Sequence, residues 1–229
     1  MATYLQLVQK AVRKSGATVE EPSTLISGTS ALVDLIAEWV AEAWKHIQME
    51  RMGLEWRRDR DLTLSLVAST DEYSLPATLE SINYRSLTCH LSDENETPVT
   101  FQTYDYWRRW VDRVDRSTGK PQYFTISPDN KLIVWPVPDN TYTIRYEGVK
   151  VIDELSTDAD VPAGLDAIYH DAIVWQALMY YAMHFEDGTK LQEAQAMFRP
   201  YKKYFEERYM PMPTVDTTAL YSLYGYNHV

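Results

Sequence analysis

The spacing of apolar residues changes twice along this chain, and these changes restrict the folds that it can adopt. Near the N-terminus apolar residues recur every three or four positions, which is the spacing of one helix face. From Asp61 to Val67 they alternate with polar residues, as in a half-buried strand. Helical spacing returns at Pro162. The sequence therefore predicts an α+β fold: a helical bundle formed by N- and C-terminal helices, an inserted and mostly antiparallel β lobe, and an extended C-terminal arm.

Two helices are predicted before the β lobe. The first runs from Thr3 to Ser15, and Gly16 stands where helices often end in a left-handed residue. The second ends near Gly53 and has an apolar face that consists of Leu32, Leu35, Ile36, Trp39, Ala43 and Ile47.

A β-hairpin is predicted within the β lobe, where two apolar runs, 122–126 and 131–137, flank the turn sequence Ser127-Pro-Asp-Asn130. Pro136 and Pro138 predict an edge position for its second strand, because proline cannot donate to a strand ladder. A short helix from Tyr104 to Val114 is expected to turn Tyr106, Trp107, Trp110 and Val111 inward. The other predicted strands are 61–67, 73–75, 81–91, 98–103 and 141–151.

Two further helices are predicted after the lobe. Pro162 is well placed to begin the first, and Gly188 would end it. Thr189 and Gln192 have the spacing of a capping box for the second, which Pro200 should kink. The predicted domains are a discontinuous helical domain (1–56 and 161–209), an inserted β lobe (57–160) and an extended arm (210–229).

Composition narrows the possible partners and compartments. The net charge of −11 argues against tight binding of nucleic acid through a basic patch. The single cysteine, Cys89, excludes an internal disulfide and favours a reducing compartment. We find no signal peptide and no apolar stretch of membrane-spanning length. We therefore expect a protein that is made in a cytoplasm and does not enter a membrane.

Residues that could carry chemistry have simpler structural interpretations. Asp166 and His170, four positions apart, are expected to form a surface pair. Cys89 and His90 should point to opposite faces of a strand. We expect Trp107 and Trp110 to pack inward while Arg108 and Arg109 are solvated. Arg51, Arg57, Arg58 and Arg60 are interleaved with acidic residues and favour an intersubunit salt-bridge patch over a phosphate site. With no phosphate-binding loop or metal motif either, we predict no cofactor, no metal site and no catalytic residue.

Aromatic residues are abundant, and they point to association with other chains. The 17 Tyr and 7 Trp fit either a core rich in tyrosine or self-assembly, because both residue types are favoured in interfaces. The arm has one charged residue, Asp216, and we predict that it binds a partner, although a frayed terminus or packing on its own core would also fit. Its predicted partner-binding residues are Leu220, Tyr221, Leu223, Tyr224 and Tyr226.

Two segments resemble one protein family. The first, PQYFTISPDNKLIVWPVPD at 121–139, continues to Tyr146; the second begins at Val161-Pro162 and includes His170-Asp-Ala172. Together with the N-terminal start at Tyr4, they resemble the head-to-tail adaptor, or head-completion, proteins of tailed phages. The resemblance follows the order of nearly the whole chain and is weakest after Tyr209.

This resemblance implies a structural protein of the virion, located at the head–tail junction and assembled in the host cytoplasm. Its subunits would form a homo-oligomeric ring of about twelve copies beneath the portal protein. Such a ring extends the channel through which double-stranded DNA passes without sequence-specific binding, and it provides the platform for tail or nozzle proteins. The C-terminal arm would contact the portal. The alternatives are a tail-side or receptor-binding component of the particle and a phage hydrolase.

Overall fold

A computed structural model of the protein describes residues 1–25, 30–49, 55–92, 95–111 and 117–209. Its described residues contain both helices and sheets, which confirms the predicted α+β class. They group into two compact units, one with the residues before 57 and after 152, the other with residues 57–152. Among the helices of the described ranges, none has both the length and the hydropathy that a bilayer crossing requires.

Four helices build the first unit: α1 (Tyr4–Ser15), α2 (Ala31–Met49), α4 (Asp171–His184) and α5 (Gly188–Tyr209). The start of α1 is fixed by a capping box, in which Gln6 N donates to Thr3 Oγ1 (3.3 Å) and Thr3 N donates to Gln6 Oε1 (3.1 Å). Gly16 ends the helix with φ +76°, as its position predicted. The predicted stop of α2 at Gly53 lies outside the described residues.

The core of this unit surrounds α4. Helices α1, α2 and α5 all contact it. Buried residues occur around most of its circumference, so neighbours must cover it on several sides. These residues are Ala172, Ile173, Val174, Trp175, Gln176, Ala177, Leu178 and Ala182.

The helix that was predicted to start at Pro162 begins at Asp171 instead, after a short 3₁₀ turn at Ala167–Tyr169. Gly164 explains the difference, because its φ of +77° is incompatible with a continuous helix. Its backbone also passes Trp56 so closely that an added Cβ would lie 2.8 Å from the Trp56 Cβ atom. Ile168, which lies within the segment predicted to be helical, is 72% exposed.

The cap of α5 also differs from the prediction. Lys190 N donates to the Asp187 side chain (2.9 Å) and Leu191 N donates to the Asp187 backbone oxygen (2.9 Å). Asp187 is therefore the cap in place of Thr189, because it offers both acceptors two residues earlier. Pro200 lies inside α5, where a kink was predicted.

Two sheets build the second unit. In the first, β9 (Thr143–Lys150) is central and pairs antiparallel with three strands. In the second the strand order is β2-β8-β7-β6, and only the β6–β7 pair is parallel. The other strands are β1 (Arg58–Ser65), β2 (Glu72–Ser74), β3 (Leu79–Ile82), β4 (Thr88–His90), β5 (Thr97–Pro98), β6 (Thr100–Phe101), β7 (Tyr123–Ile126) and β8 (Lys131–Trp135).

The predicted hairpin is confirmed, but its second strand is not at an edge. Strand β8 pairs with β7 on one side and with β2 on the other. Pro136 and Pro138 do not interrupt this pairing because the strand ends at Trp135. The prediction of one strand over 81–91 was also wrong, since a turn after Asn83 separates β3 from β4.

The helix predicted from Tyr104 consists of α3 (Tyr104–Tyr106) followed by one π-helical turn, Trp107–Val111. Trp107 is buried as predicted, whereas Tyr106 is 48% exposed. The side chains of Trp110 and Val111 lie outside the described part of the molecule.

Residues 153–160 group with the helices, although the sequence pattern placed them in the β lobe. We call this segment the strap. The Gln48 side chain donates to the Asp153 backbone oxygen (2.8 Å) and accepts from its N–H (2.9 Å). Tyr4 N donates to the backbone oxygen of Asp160 (2.7 Å). These bonds join the strap to α2 and to the start of α1, and Leu155 lies in the helical core.

Asp160 organises the strap electrostatically. Its carboxylate accepts hydrogen bonds from the hydroxyl (2.6 Å) and backbone N–H (2.7 Å) of Thr157 and from the backbone N–H of Ser156 (2.7 Å). These donors hold the pKa of Asp160 well below its ordinary value.

We expect Gln48→Leu to lower the free energy of unfolding by about 1–3 kcal/mol, because it leaves the backbone N–H and oxygen of Asp153 without the partners that α2 supplies. Urea denaturation measures this loss. Met49→Leu, a change at the exposed neighbouring position, should stay within about 0.5 kcal/mol of the unchanged chain. Equal losses in both variants would contradict a specific role for Gln48.

We expect acid to destabilise the chain partly through Asp160. Because its folded pKa is depressed, its contribution to stability is present above about pH 4, the ordinary aspartate pKa, and is lost as the pH falls toward the folded pKa. Thermal unfolding from pH 6 to pH 2 should therefore show a smaller loss of Tm in Asp160→Asn than in the unchanged chain. Identical pH profiles for the two proteins would refute this role.

Candidate interaction surfaces

The predicted partner-binding residues of the arm, Leu220, Tyr221, Leu223, Tyr224 and Tyr226, lie outside the described residues. The described chain ends at Tyr209, the last residue of α5. Glu207 and Arg208 are exposed, so α5 carries the chain to the surface of the helical unit. The arm therefore starts from an exposed helix end.

A groove of about 590 Å³ lies between α2, α4 and α5, and we call it the α5 groove. Three kinds of residue line it: the apolar residues Met179, Ala196 and Phe198, the amides Gln176, Gln192 and Gln195, and the basic or imidazole side chains of His46, Arg199 and Lys202. The α5 residues recur at intervals of three or four and so lie on one helix face. The groove can therefore bind an extended segment that has both apolar and anionic groups.

Gln176 fixes the α2–α4 side of the groove. Its side chain is 8% exposed, and its Nε2 atom lies 3.4 Å from His46 Nδ1 and 3.3 Å from Tyr180 Oη. Arg199, on the α5 side, is exposed and makes no ion pair within the described ranges. The cationic side of the groove is thus accessible to a ligand, while its amide side is held by the fold.

A second surface is aromatic and lies where α2 passes the end of α4. The Trp39 ring is 6.0 Å from Tyr181 and 5.3 Å from His184, measured between centroids. Phe185 packs 4.8 Å from Tyr181 and is still 48% exposed. We call these four residues the aromatic cluster. Exposed aromatic rings held by neighbouring rings are typical anchors of protein interfaces.

The sequence pattern did not predict this cluster. Trp39 was assigned to the apolar face of the second predicted helix, where it would be a core residue. Phe185 lies within the helix predicted between Pro162 and Gly188, and no interface was assigned to it. Phe185 could have been distinguished by its position. It follows the last residue of α4, so the helix no longer covers it.

His170 does not form the predicted surface pair with Asp166. It is 1% exposed; Ala2 N donates to its Nδ1 atom (3.3 Å), and its Nε2 atom lies 3.1 Å from the backbone oxygen of Leu165. Since Nδ1 accepts, Nε2 must carry the proton to bond a carbonyl oxygen. Asp166 pairs instead with Arg208 (3.0 Å). His170 therefore ties the N-terminus to the start of α4.

The basic group of the second unit is engaged within the chain. Arg57 donates to the Lys150 backbone oxygen (2.8 Å) and pairs with Glu80, and Arg58 lies 3.8 Å from Glu147. Arg58 and Glu147 lie on the paired strands β1 and β9, which places their opposite charges close together. The intersubunit patch stays a prediction. Arg60 has an interaction of its own, and Arg51 lies outside the described residues.

The remaining predicted residues are placed as the strand and helix patterns require. Cys89 is fully buried and His90 is half-buried, consistent with opposite faces of β4. Arg108 and Arg109 are exposed beside the buried Trp107. Over the described ranges, no group of three or more His, Cys, Asp or Glu residues could hold a metal ion.

Comparison with known proteins identifies the family. A search of curated proteins finds no match. A family model described as SU10 adaptor protein matches residues 2–221. The match includes both segments that carry the sequence resemblance, both units of the fold, and Leu220 and Tyr221 of the arm. The chain therefore belongs to the SU10 adaptor protein family, a family of phage structural adaptors.

Proposed function

We propose that this protein is the head-to-tail adaptor subunit of a tailed phage. About twelve copies form a ring beneath the portal protein, extend the DNA channel and provide the platform to which tail or nozzle proteins attach. The observation that carries the proposal is the family match over residues 2–221. The role is structural and includes no chemical step.

The aromatic cluster supports self-association. A closed ring requires two different surfaces on each subunit, so that each copy contacts the next in a head-to-tail manner. Phe185 and Trp39 offer one such surface, because burying their exposed ring area in a neighbour is favourable without a large loss of side-chain entropy.

The charge of the chain supports a channel that DNA can pass. A net charge of −11 produces repulsion from phosphates, so few contacts would resist sliding of the duplex. Cationic residues of the described chain are partly neutralised by carboxylates, as for Arg145 with Glu96 (2.9 Å) and Lys131 with Glu72. We therefore propose that DNA passes through the ring without sequence-specific binding.

The arm supports contact with the portal. It follows the exposed end of α5, and its single charged residue is Asp216. Its predicted partner-binding residues are Leu220, Tyr221, Leu223, Tyr224 and Tyr226. Tyrosine and leucine side chains are well suited to bind in a groove on a partner.

We expect the full chain to co-sediment with portal rings from the same source at about one copy per portal subunit. Replacement of Leu220, Tyr221, Leu223, Tyr224 and Tyr226 by Ser should abolish co-sedimentation, because it removes the apolar area of the arm. A variant with Thr217→Ser and Thr218→Ser, also in the arm, should still bind. If intact portal rings bind none of these proteins, the portal assignment is wrong and a tail-side or receptor-binding role takes its place.

We expect Phe185→Ala to weaken ring formation while leaving the fold intact. Loss of an interface anchor costs about 1–2 kcal/mol per contact, which raises the dissociation constant about tenfold, whereas an exposed side chain adds little to folding stability. Sedimentation velocity over a concentration series measures this shift. Val67→Ala, at an exposed apolar residue of the second unit, is the control. A ring as stable as that of the unchanged chain would exclude the aromatic cluster from the interface.

A further inference from the structure

The α5 groove and the arm have complementary properties within one chain. The groove lies on the helix from which the arm continues, and its lining combines cations, amides and apolar side chains. We propose that, in the free subunit, the α5 groove binds the C-terminal arm of the same chain. This goes beyond the proposed function, which concerns the arm on the portal.

Charge favours this occupant. Arg199 and Lys202 give the groove positive charge, and none of the residues that line it is a carboxylate. The arm contains no Lys or Arg, and its one charged side chain is the carboxylate of Asp216. Because the chain has 33 acidic and 22 basic residues, a groove with cations and no carboxylates differs in charge from the chain as a whole. Its charge is complementary to that of the arm.

Apolar and amide groups favour it as well. Met179 and Phe198 present apolar surface in the groove, against which Leu or Tyr side chains of the arm can pack. The exposed amides of Gln192 and Gln195 can both donate to and accept from an extended backbone or from tyrosine hydroxyls. The Tyr and Leu side chains of the arm can therefore contact both the apolar and the amide groups of the groove.

The length of the arm permits binding within one chain. From Tyr209 back to Gln195 the distance along α5 is about 21 Å, at about 1.5 Å per residue. The stretch from 210 to Leu220 covers up to about 36 Å when extended. Pro211 and Pro213 disfavour continuation of the helix, so the chain can leave the helix axis and reverse. Leu220 and the residues after it can therefore reach the groove.

Binding in the groove would cover the tyrosines before assembly. The leucine and tyrosine side chains of an arm that is not bound are prone to nonspecific association. The portal would then have to draw the arm from the groove, so that the arm becomes available where a portal is present. The affinity of the groove must consequently be modest, as expected for a few surface ion pairs and a small apolar area.

The first test is limited digestion of the free, full-length chain by chymotrypsin, with cleavage after Tyr221 and Tyr224 followed by mass spectrometry. We expect Arg199→Glu and Lys202→Glu to speed cleavage about five- to tenfold, because each replaces an attraction by a repulsion. Lys203→Glu makes the same change at an exposed neighbour outside the groove lining and should leave the rate unchanged. Equal rates in all variants, with unchanged circular dichroism, would overturn the proposal.

The second test is disulfide trapping between Ser222→Cys and Gln195→Cys in the full chain. We expect a cross-linked monomer at dilute concentration, formed at least about tenfold more than with Lys203→Cys as the second position, because effective concentration within one chain is high. A predominantly dimeric product, or equal yields at both positions, would contradict binding within one chain. Neither test contains portal protein, so loss of portal binding and loss of groove binding are measured separately.

Discussion

The helical unit depends on the burial of one helix, α4. Ile173, Val174 and Leu178 are at most 1% exposed, and each such side chain contributes about 1.5–3 kcal/mol when it leaves water. Because buried residues occur around most of α4, no single neighbour can cover it. The cover comes from α1 and α2 at the start of the chain and from α5 at its end. The two ends of the chain must therefore come together before this core can form.

The strap fixes the position at which the two ends of the chain pack together. Asp153 bonds Gln48 in α2, and its carboxylate also accepts from Trp44 Nε1 (3.1 Å). Asp158 accepts from Thr24 Oγ1 (2.6 Å) and from Leu25 N (2.9 Å), both before α2. A hydrophobic core alone tolerates small shifts between helices, whereas these directional bonds require one register. The strap thus sets where the chain re-enters the helical unit after residues 57–152.

Periodicity predicted the elements whose structure depends on local contacts. Helix α1, with its left-handed Gly16, and the β7–β8 hairpin follow from residues close in sequence. The errors arose where distant residues decide. No helix begins at Pro162, because Gly164 has a positive φ and its backbone lies close to Trp56. His170 is buried because the N-terminus and Leu165 supply its two partners. The groove was not predictable either, since its lining comes from three helices that only tertiary packing brings together.

The aromatic cluster and the arm differ in a way that suits assembly in a fixed sequence of steps. The rings of the aromatic cluster already contact one another, so they can bind a neighbour with little further loss of side-chain entropy. In the proposed assembly the arm would instead have to leave the α5 groove before it binds the portal, which would lower its affinity for any single site. A subunit of this kind would bind the portal weakly through one arm. Once neighbouring subunits join through rigid surfaces, many arms act together and the binding becomes strong.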